Sequence, residues 1–443
     1  MKFTKMSLVA ALLIGSSAFA LDNVKVSGDA NLYYQTTDGA SGYDTAKGRT
    51  GGTLFSKDSS AADAAVNLNL TADILSNDLV SVSAGASYAV LTTLGLENNF
   101  VSNVWGGAHT ATAGTGSHFG NVAGLGGAKI EDASWMKEAW IAATSGKTTA
   151  KIGRMALDTP LAFTETWTAE ENTFDAAVVI NQDIPNTTLV GAYVGNGNGT
   201  ENFGKSEQSN VQALGLASAP VVNANGKFAT YGTNGAYVAG VINNSYAPLV
   251  AQAWYYDVVS VAQAVWLQGD LDASSLGVDG LTLGGQYVAM TAAASGSDTN
   301  QAVAAKVGYT MKDMFTASVA YSQQSNTGSL TNNAFNTATN VKYAQSKLYT
   351  EAWWNYGQVT MKGAKAFNLT VEAPVKDIAD FGLYVTSVDQ NTAADLTEVT
   401  LTASRSFGPL DATLAYINSD YSKVGNTAAT NTNTVQVYAT LNF

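Results

Sequence analysis

The chain has 443 residues, no cysteine and a formal net charge of −13, which excludes disulfides and thiolate metal sites and disfavours nucleic acid as a partner. Only 13% of its residues are charged, against about 25% in a soluble domain. Much of the outer surface is therefore expected not to face water.

Residues 1–20 read as a secretory signal peptide. Lys2 and Lys5 form a positive start, Leu8 to Ile14 a short apolar run, and Ala18-Phe19-Ala20 an A-x-A cleavage site. The run is too short for a spanning helix, and no later stretch nears the roughly 18 apolar residues one needs. The signal takes two lysines, so the remaining chain carries 20 − 35 = −15.

From there the dominant signal is period two, the signature of strands. Val24, Val26, Gly28, Ala30, Leu32 and Tyr34 share one face; Lys25, Ser27, Asp29, Asn31 and Tyr33 share the other. Val66 to Ile74 and Val80 to Val90 repeat the pattern across a turn at Ser76-Asn77-Asp78, which makes a hairpin. The C-terminal third continues it, with Val303 to Tyr309, Phe315 to Tyr321, Phe367 to Val371, Phe381 to Val385, Val399 to Ala403 and Leu410 to Tyr416. The last strand sets Val435, Val437, Ala439, Leu441 and Phe443 opposite Thr434, Gln436, Tyr438, Thr440 and Asn442. Faces of about ten residues match tilted membrane-spanning strands. Tyr34, Tyr88, Tyr309, Tyr321 and Tyr416 sit near strand ends, as an interfacial girdle requires.

Short turns are expected at 75–78, 144–147, 183–187, 311–313, 374–379 and 407–409. Long polar segments fill 37–62, 94–133, 155–172, 196–234 and 324–343. Together these imply an all-β fold: a transmembrane antiparallel barrel with short periplasmic turns and long extracellular loops. The count is roughly 18 or 19 strands; even parity selects 18, with 16 the alternative. Parity fails between 324 and 365, where Tyr349 to Tyr356 alternates poorly, and both faces are apolar over 245–270.

A barrel this wide holds water; the inward faces named above are polar, as a water-filled lumen requires, and something must narrow it. The candidate is the loop of about 155–172, with Asp158, Glu165, Glu170 and Glu171, following the strand that carries Lys151 and Arg154. Folded inward, it would set carboxylates opposite basic wall residues and favour cations. An exposed loop of solvated carboxylates accounts for the same spacing. The function classes that remain are a passive diffusion channel, a substrate-specific channel, and a structural or adhesin-like barrel.

An enzyme is not indicated. His109 and His118 lie nine apart in a Gly- and Thr-rich loop, wrong for an H-x-x-x-H metal pair. No G-x-S-x-G elbow occurs. Gly195-Asn196-Gly197-Asn198-Gly199 opens no helix and reads as a loop tip.

Lys151-Ile152-Gly153-Arg154, then Leu157-Asp158-Thr159-Pro160 and Asn172-Thr173-Phe174, resembles the strand-to-loop region of Opr-type outer-membrane porins, the group of OprD-like channels and epsilonproteobacterial major porins. Asp395 to Val399, Phe407 to Leu414 and the terminal Phe443 are similar too. The resemblance implies an 18-stranded outer-membrane porin, a homotrimer, and constriction by the loop after Arg154. It implies outer-membrane lipid, lipopolysaccharide, small hydrophilic solutes and ions as partners, and Phe443 with Tyr438 as the signal for the barrel assembly machinery. It raises calcium at the constriction as a candidate ligand, although no contiguous calcium loop is present. Only Arg49, Arg154 and Arg405 occur, so the arginine ladder of OprD-like channels is missing. Arg405 is expected to snorkel to the interface.

Overall fold

Alternation leaves each strand with two unlike faces, and a closed cylinder satisfies both without leaving an unpaired edge. The structure is a computed structural model that describes residues 22–38, 53–55, 60–92, 133–166, 169–199, 228–232, 234–338, 344–425 and 428–443. The expected signal peptide, Arg49, His109 and His118 lie outside the described residues.

Eighteen strands form the cylinder. They are β1 (Asp22–Thr37), β2 (Ser60–Ser76), β3 (Ser81–Thr92), β4 (Ala133–Ser145), β5 (Thr148–Met155), β6 (Phe174–Asn181), β7 (Thr187–Gly197), β8 (Ala236–Asn243) and β9 (Leu249–Val258). They continue with β10 (Ala262–Asp272), β11 (Leu281–Ala292), β12 (Asn300–Met311), β13 (Phe315–Gln324), β14 (Lys365–Val375), β15 (Ala379–Asp389), β16 (Leu396–Phe407), β17 (Leu410–Tyr421) and β18 (Thr430–Asn442). Each pairs antiparallel with its chain neighbours, and β18 closes on β1 from Asp29↔Asn442 to Thr37↔Thr434. A two-residue strand, Ala229–Thr230, adds to the end of β7.

The tight turns gather at one end. Gly146 and Gly408 take left-handed φ values of 57° and 68° in the turns joining β4 to β5 and β16 to β17. The other end carries the long connections, but also the three-residue link 259–261 between β9 and β10. That link resolves the doubly apolar stretch 245–270 into two strands. The parity conflict also resolves: no barrel strand occurs among the described residues between 325 and 364. Its described residues make isolated bridges, Asn332↔Met361 and Phe335↔Ser346, and one 3-10 turn, Gln358–Thr360.

The outer face is apolar and uncovered: Leu401 is 50% and Leu414 52% exposed. On either side of Leu401 along β16, inward-facing Thr400 and Thr402 are buried. Arg405 Nη1 donates to the backbone oxygens of Asp377 and Ile378, both at 2.9 Å, at the end of the barrel near the β14–β15 turn.

The inward faces of β6 to β9 are largely apolar, interrupted by Thr188 and Gln252, which pair in register with Ile242. Ile180, Val190, Gly240 and Trp254 stand in register across four strands, as do Val178, Ala192, Val238 and Tyr256. A Cβ on Gly240 would lie 2.3 Å from Trp254 Cε3, so glycine is what lets that ring lie across the wall.

Candidate functional site: two loops inside the barrel

The described residues of two connections fold into the cylinder: those of 156–173 between β5 and β6, and those of 325–364 between β13 and β14. Leu161 of the first and Leu330, Phe335, Leu348 and Val359 of the second are buried in one core with the inward Trp254, Tyr256, Trp266 and Met290. Burial of these side chains supplies most of the force that holds the loops in place.

The first loop is a small hairpin. Thr159 N and Oγ1 donate to Ala162 O at 3.3 and 2.7 Å, and Thr164 N donates to Leu157 O at 2.7 Å. Its tip is fixed by Leu161 N, which donates to Tyr256 Oη at 3.2 Å. Its exit is fixed by Thr173, whose N donates to Asn198 Oδ1 at 2.8 Å and whose Oγ1 donates to Lys137 O at 2.7 Å. Asn198 is fully buried, so the glycine-rich segment ends as an anchor for this loop.

The loops hold each other. Asn336 Nδ2 donates to Phe163 O and to Glu165 Oε1, both at 2.8 Å; Gln345 N donates to the same carboxylate at 3.0 Å. Thr337 N donates to Leu161 O at 2.8 Å. The second loop is also held by the wall. Glu398 on β16 accepts Trp354 N at 3.1 Å, Asn355 N at 2.9 Å and Asn355 Nδ2 at 2.6 Å.

The four predicted carboxylates divide into three situations. Glu165 is buried in the clasp between the loops. Glu170 and Glu171 share Lys137 Nζ at 3.1 and 3.0 Å, and the Glu170 side chain has no exposure. Burial pushes the Glu170 carboxyl up, and the Lys137 ammonium opposes that shift. Asp158 has 84% of its side chain exposed and pairs with Lys347 of the second loop. A cavity of about 480 Å³ lies beside that pair, lined also by Phe163, Thr166 and Gln345.

The two predicted basic residues are not brought together. Lys151 faces inward, with its Nζ 4.1 Å from the centre of the Trp140 ring. Arg154 shares the outward face of Ile152, pairs with Asp175 at 2.9 Å and stacks on Phe228. It is therefore not a wall residue of the lumen. Of the two terminal residues, Phe443 is exposed while Tyr438 points inward, its ring 5.0 Å from that of Tyr33.

Sequence reasoning missed Lys137, Lys347, Asn336, Glu351 and Glu398. Lys137 sits at a β-bulge: Ser87 pairs with Glu138 and Tyr88 with Met136, leaving Lys137 without a register partner. The bulge turns Lys137 inward beside Glu138. Glu351 is a buried carboxyl of the second loop that accepts Ser346 N at 2.7 Å and Ala352 N at 3.1 Å. Burial pushes it up to about 8. Among the described residues no group of three or more carboxylates or histidines is placed to hold a metal ion.

No protein-family model matches the chain, and no curated protein matches it by sequence. Solved structures do match. Pseudomonas aeruginosa OpdK, crystallised with vanillate, superimposes with a TM-score of 0.67 at 12% identity, over 96% of this chain and 100% of that one. OccK8 (OprE) of the same organism gives 0.66 at 14% identity, with 96% and 100% covered. OccK9 (OpdG) gives 0.64 at 11%, with 95% and 99% covered. At these identities the likeness is one of fold: the chain has the closed 18-strand barrel of the Pseudomonas OccK and OprD-type outer-membrane porins.

Proposed function

We propose that the chain is an outer-membrane porin, a passive channel for small hydrophilic solutes and ions that prefers cations. One observation carries the reading: a closed 18-strand barrel with an uncovered apolar outer face keeps two loops packed inside its lumen. Among the described residues no helix is long and apolar enough to cross a membrane, so the strands must do so. The protein then lies among outer-membrane lipid and lipopolysaccharide. Its exposed terminal Phe443 is the feature offered to the assembly machinery, and a homotrimer is the expected assembly. No reaction is part of the proposal.

Cation preference rests on charge. Asp158 is the exposed carboxylate at the loops, and below it the inward positions of β1, β14, β15 and β17 carry Asp29, Glu372, Asp380 and Asp411. Fixed carboxylates along a narrow path raise the local cation concentration. The Asp158–Lys347 pair beside the cavity favours a second reading, a substrate-specific channel with a fixed recognition point.

Planar-bilayer recording tests both. An ohmic current in potassium chloride, with a reversal potential on the cation side in a salt gradient, supports the porin. Replacing Asp158 with Asn should reduce that potential more than replacing buried Glu165 or Glu170 with the amide. A closed barrel would leave a structural or adhesin-like role instead.

A further inference from the structure

The lumen has two unlike walls. In a ring of 18 strands, a strand nine positions on lies across the lumen, so β7 faces β16. The β6–β9 wall presents Ile180, Val190, Ile242 and Val250 inward, with Thr188 and Gln252 among them; Val190 and Ile242 pack against the core that the loops share, and Ile180 and Val250 lie below it. Across from it stand Thr402 and Ser404 of β16, with Asp380 and Tyr384 of β15 and Glu372 of β14 beside them. These polar residues, together with Met311, Met314, Phe315 and Phe381, line a recess of about 400 Å³ near the tight-turn end of the barrel. Tyr384 Oη donates to Glu372 at 2.7 Å, which fixes one carboxylate in place and leaves Asp380 beside it.

Loop packing does not account for the whole apolar wall. Its upper part, Trp254, Tyr256 and Val258, is buried against the loops and is needed there. Ile180 and Val250 lie lower; they are 37% and 42% exposed and point into the barrel, where neither lipid nor loop covers them. A purely aqueous pore gains nothing from such residues, because apolar surface facing water costs free energy in proportion to its area. Val250 is moreover paired in register with Asp270, so apolar and acidic side chains adjoin on this face.

We infer that the lumen selects organic cations with an apolar body, whose hydrocarbon slides along the β6–β9 wall while the charge follows the carboxylates opposite. This rests on the porin reading above and names its substrate class. An anion of the same shape meets the same apolar strip but the wrong charge. A hydrophilic cation of the same bulk meets the right charge but gains nothing from the strip.

The test is bi-ionic reversal potentials in planar bilayers with benzylammonium, choline and benzoate as probes. Benzylammonium should permeate about fivefold better than choline, for partial burial of one ring, and better than benzoate. The Ile180→Thr/Val190→Thr/Ile242→Thr/Val250→Thr variant keeps β-branched or near-isosteric side chains suited to strands. It should bring the benzylammonium-to-choline ratio close to one while potassium chloride conductance stays within about twofold. Glu372→Gln with Asp380→Asn should lower the benzylammonium-to-benzoate ratio and leave the choline comparison unchanged. Potassium chloride current with equal benzylammonium and choline permeability in the unmodified protein overturns the inference alone. So does an unchanged ratio in the threonine variant. No potassium chloride current at all overturns the porin reading, and the inference falls with it.

Discussion

Glu165 Oε1 accepts a hydrogen bond from Asn336 Nδ2 at 2.8 Å, across 171 residues of chain, and joins the two loops inside the barrel. The same oxygen receives Gln345 N at 3.0 Å. Replacing Glu165 with Ala takes the shared acceptor from the buried Asn336 amide and from the partly buried Gln345 N–H, at a cost of about 1–3 kcal/mol. Single-channel recording should then show a larger mean conductance with rapid flicker, as the clasped loops separate. A conductance identical to that of the unmodified protein would mean the clasp does not set the width.

Lys137 neutralises two carboxylates at once. Substitution by Met leaves Glu170 buried without its counter-charge, which costs about 3–5 kcal/mol in comparable pairs. The heat needed to convert the folded band to the unfolded band on gels should fall clearly. Adding Glu170→Gln should recover most of the loss, because the two changes act on one contact and are not additive. Equal loss in single and double variants would contradict the pairing.

Much of this architecture is legible in the sequence, and the reasons are local. Period two survives in Val399 to Ala403 and Val435 to Phe443 because hydrocarbon outside and polar lumen inside act on every residue of those strands. The second inward loop left only a negative trace, the lost alternation from 324 to 365. Its position depends on contacts such as Asn336 with Phe163, 173 residues away, which no local pattern encodes. Whether a loop carboxylate meets water, as Asp158 does, or is sealed in, as Glu165 is, depends on the same long-range packing. Arg154 is different. It lies three residues from Lys151, and in a strand that spacing puts two side chains on opposite faces. The signal for its outward direction was present in the strand period itself. Lys137 was hidden by its bulge, which breaks the alternation that would have placed it.

Glu351 makes the second loop sensitive to pH. Its carboxyl is raised to about 8 from an ordinary 4.5 by burial, so the folded loop binds a proton that the released loop gives up. Between those two values the released form holds fewer protons, and the loop's stability falls as pH rises through that window. Below 4.5 both forms are protonated and the dependence vanishes. Amide exchange over residues 344–352, corrected for intrinsic base catalysis, should accelerate from pH 4.5 to about 8 in the unmodified protein. Glu351→Gln should flatten the profile. An identical slope in both proteins would assign the effect elsewhere.

The most direct test of the central claim uses the absence of cysteine, which makes any introduced thiol the single labelling site. Spin labels placed one at a time along β16, from Val399 to Ser404, can be read in lipid by collision with oxygen and with a water-soluble nickel complex. The expected result is strict alternation: Val399, Leu401 and Ala403 accessible to oxygen from the bilayer, and Thr400, Thr402 and Ser404 screened from it. Equal access to the nickel complex at all six positions would contradict a barrel that meets hydrocarbon on one face and encloses a lumen on the other.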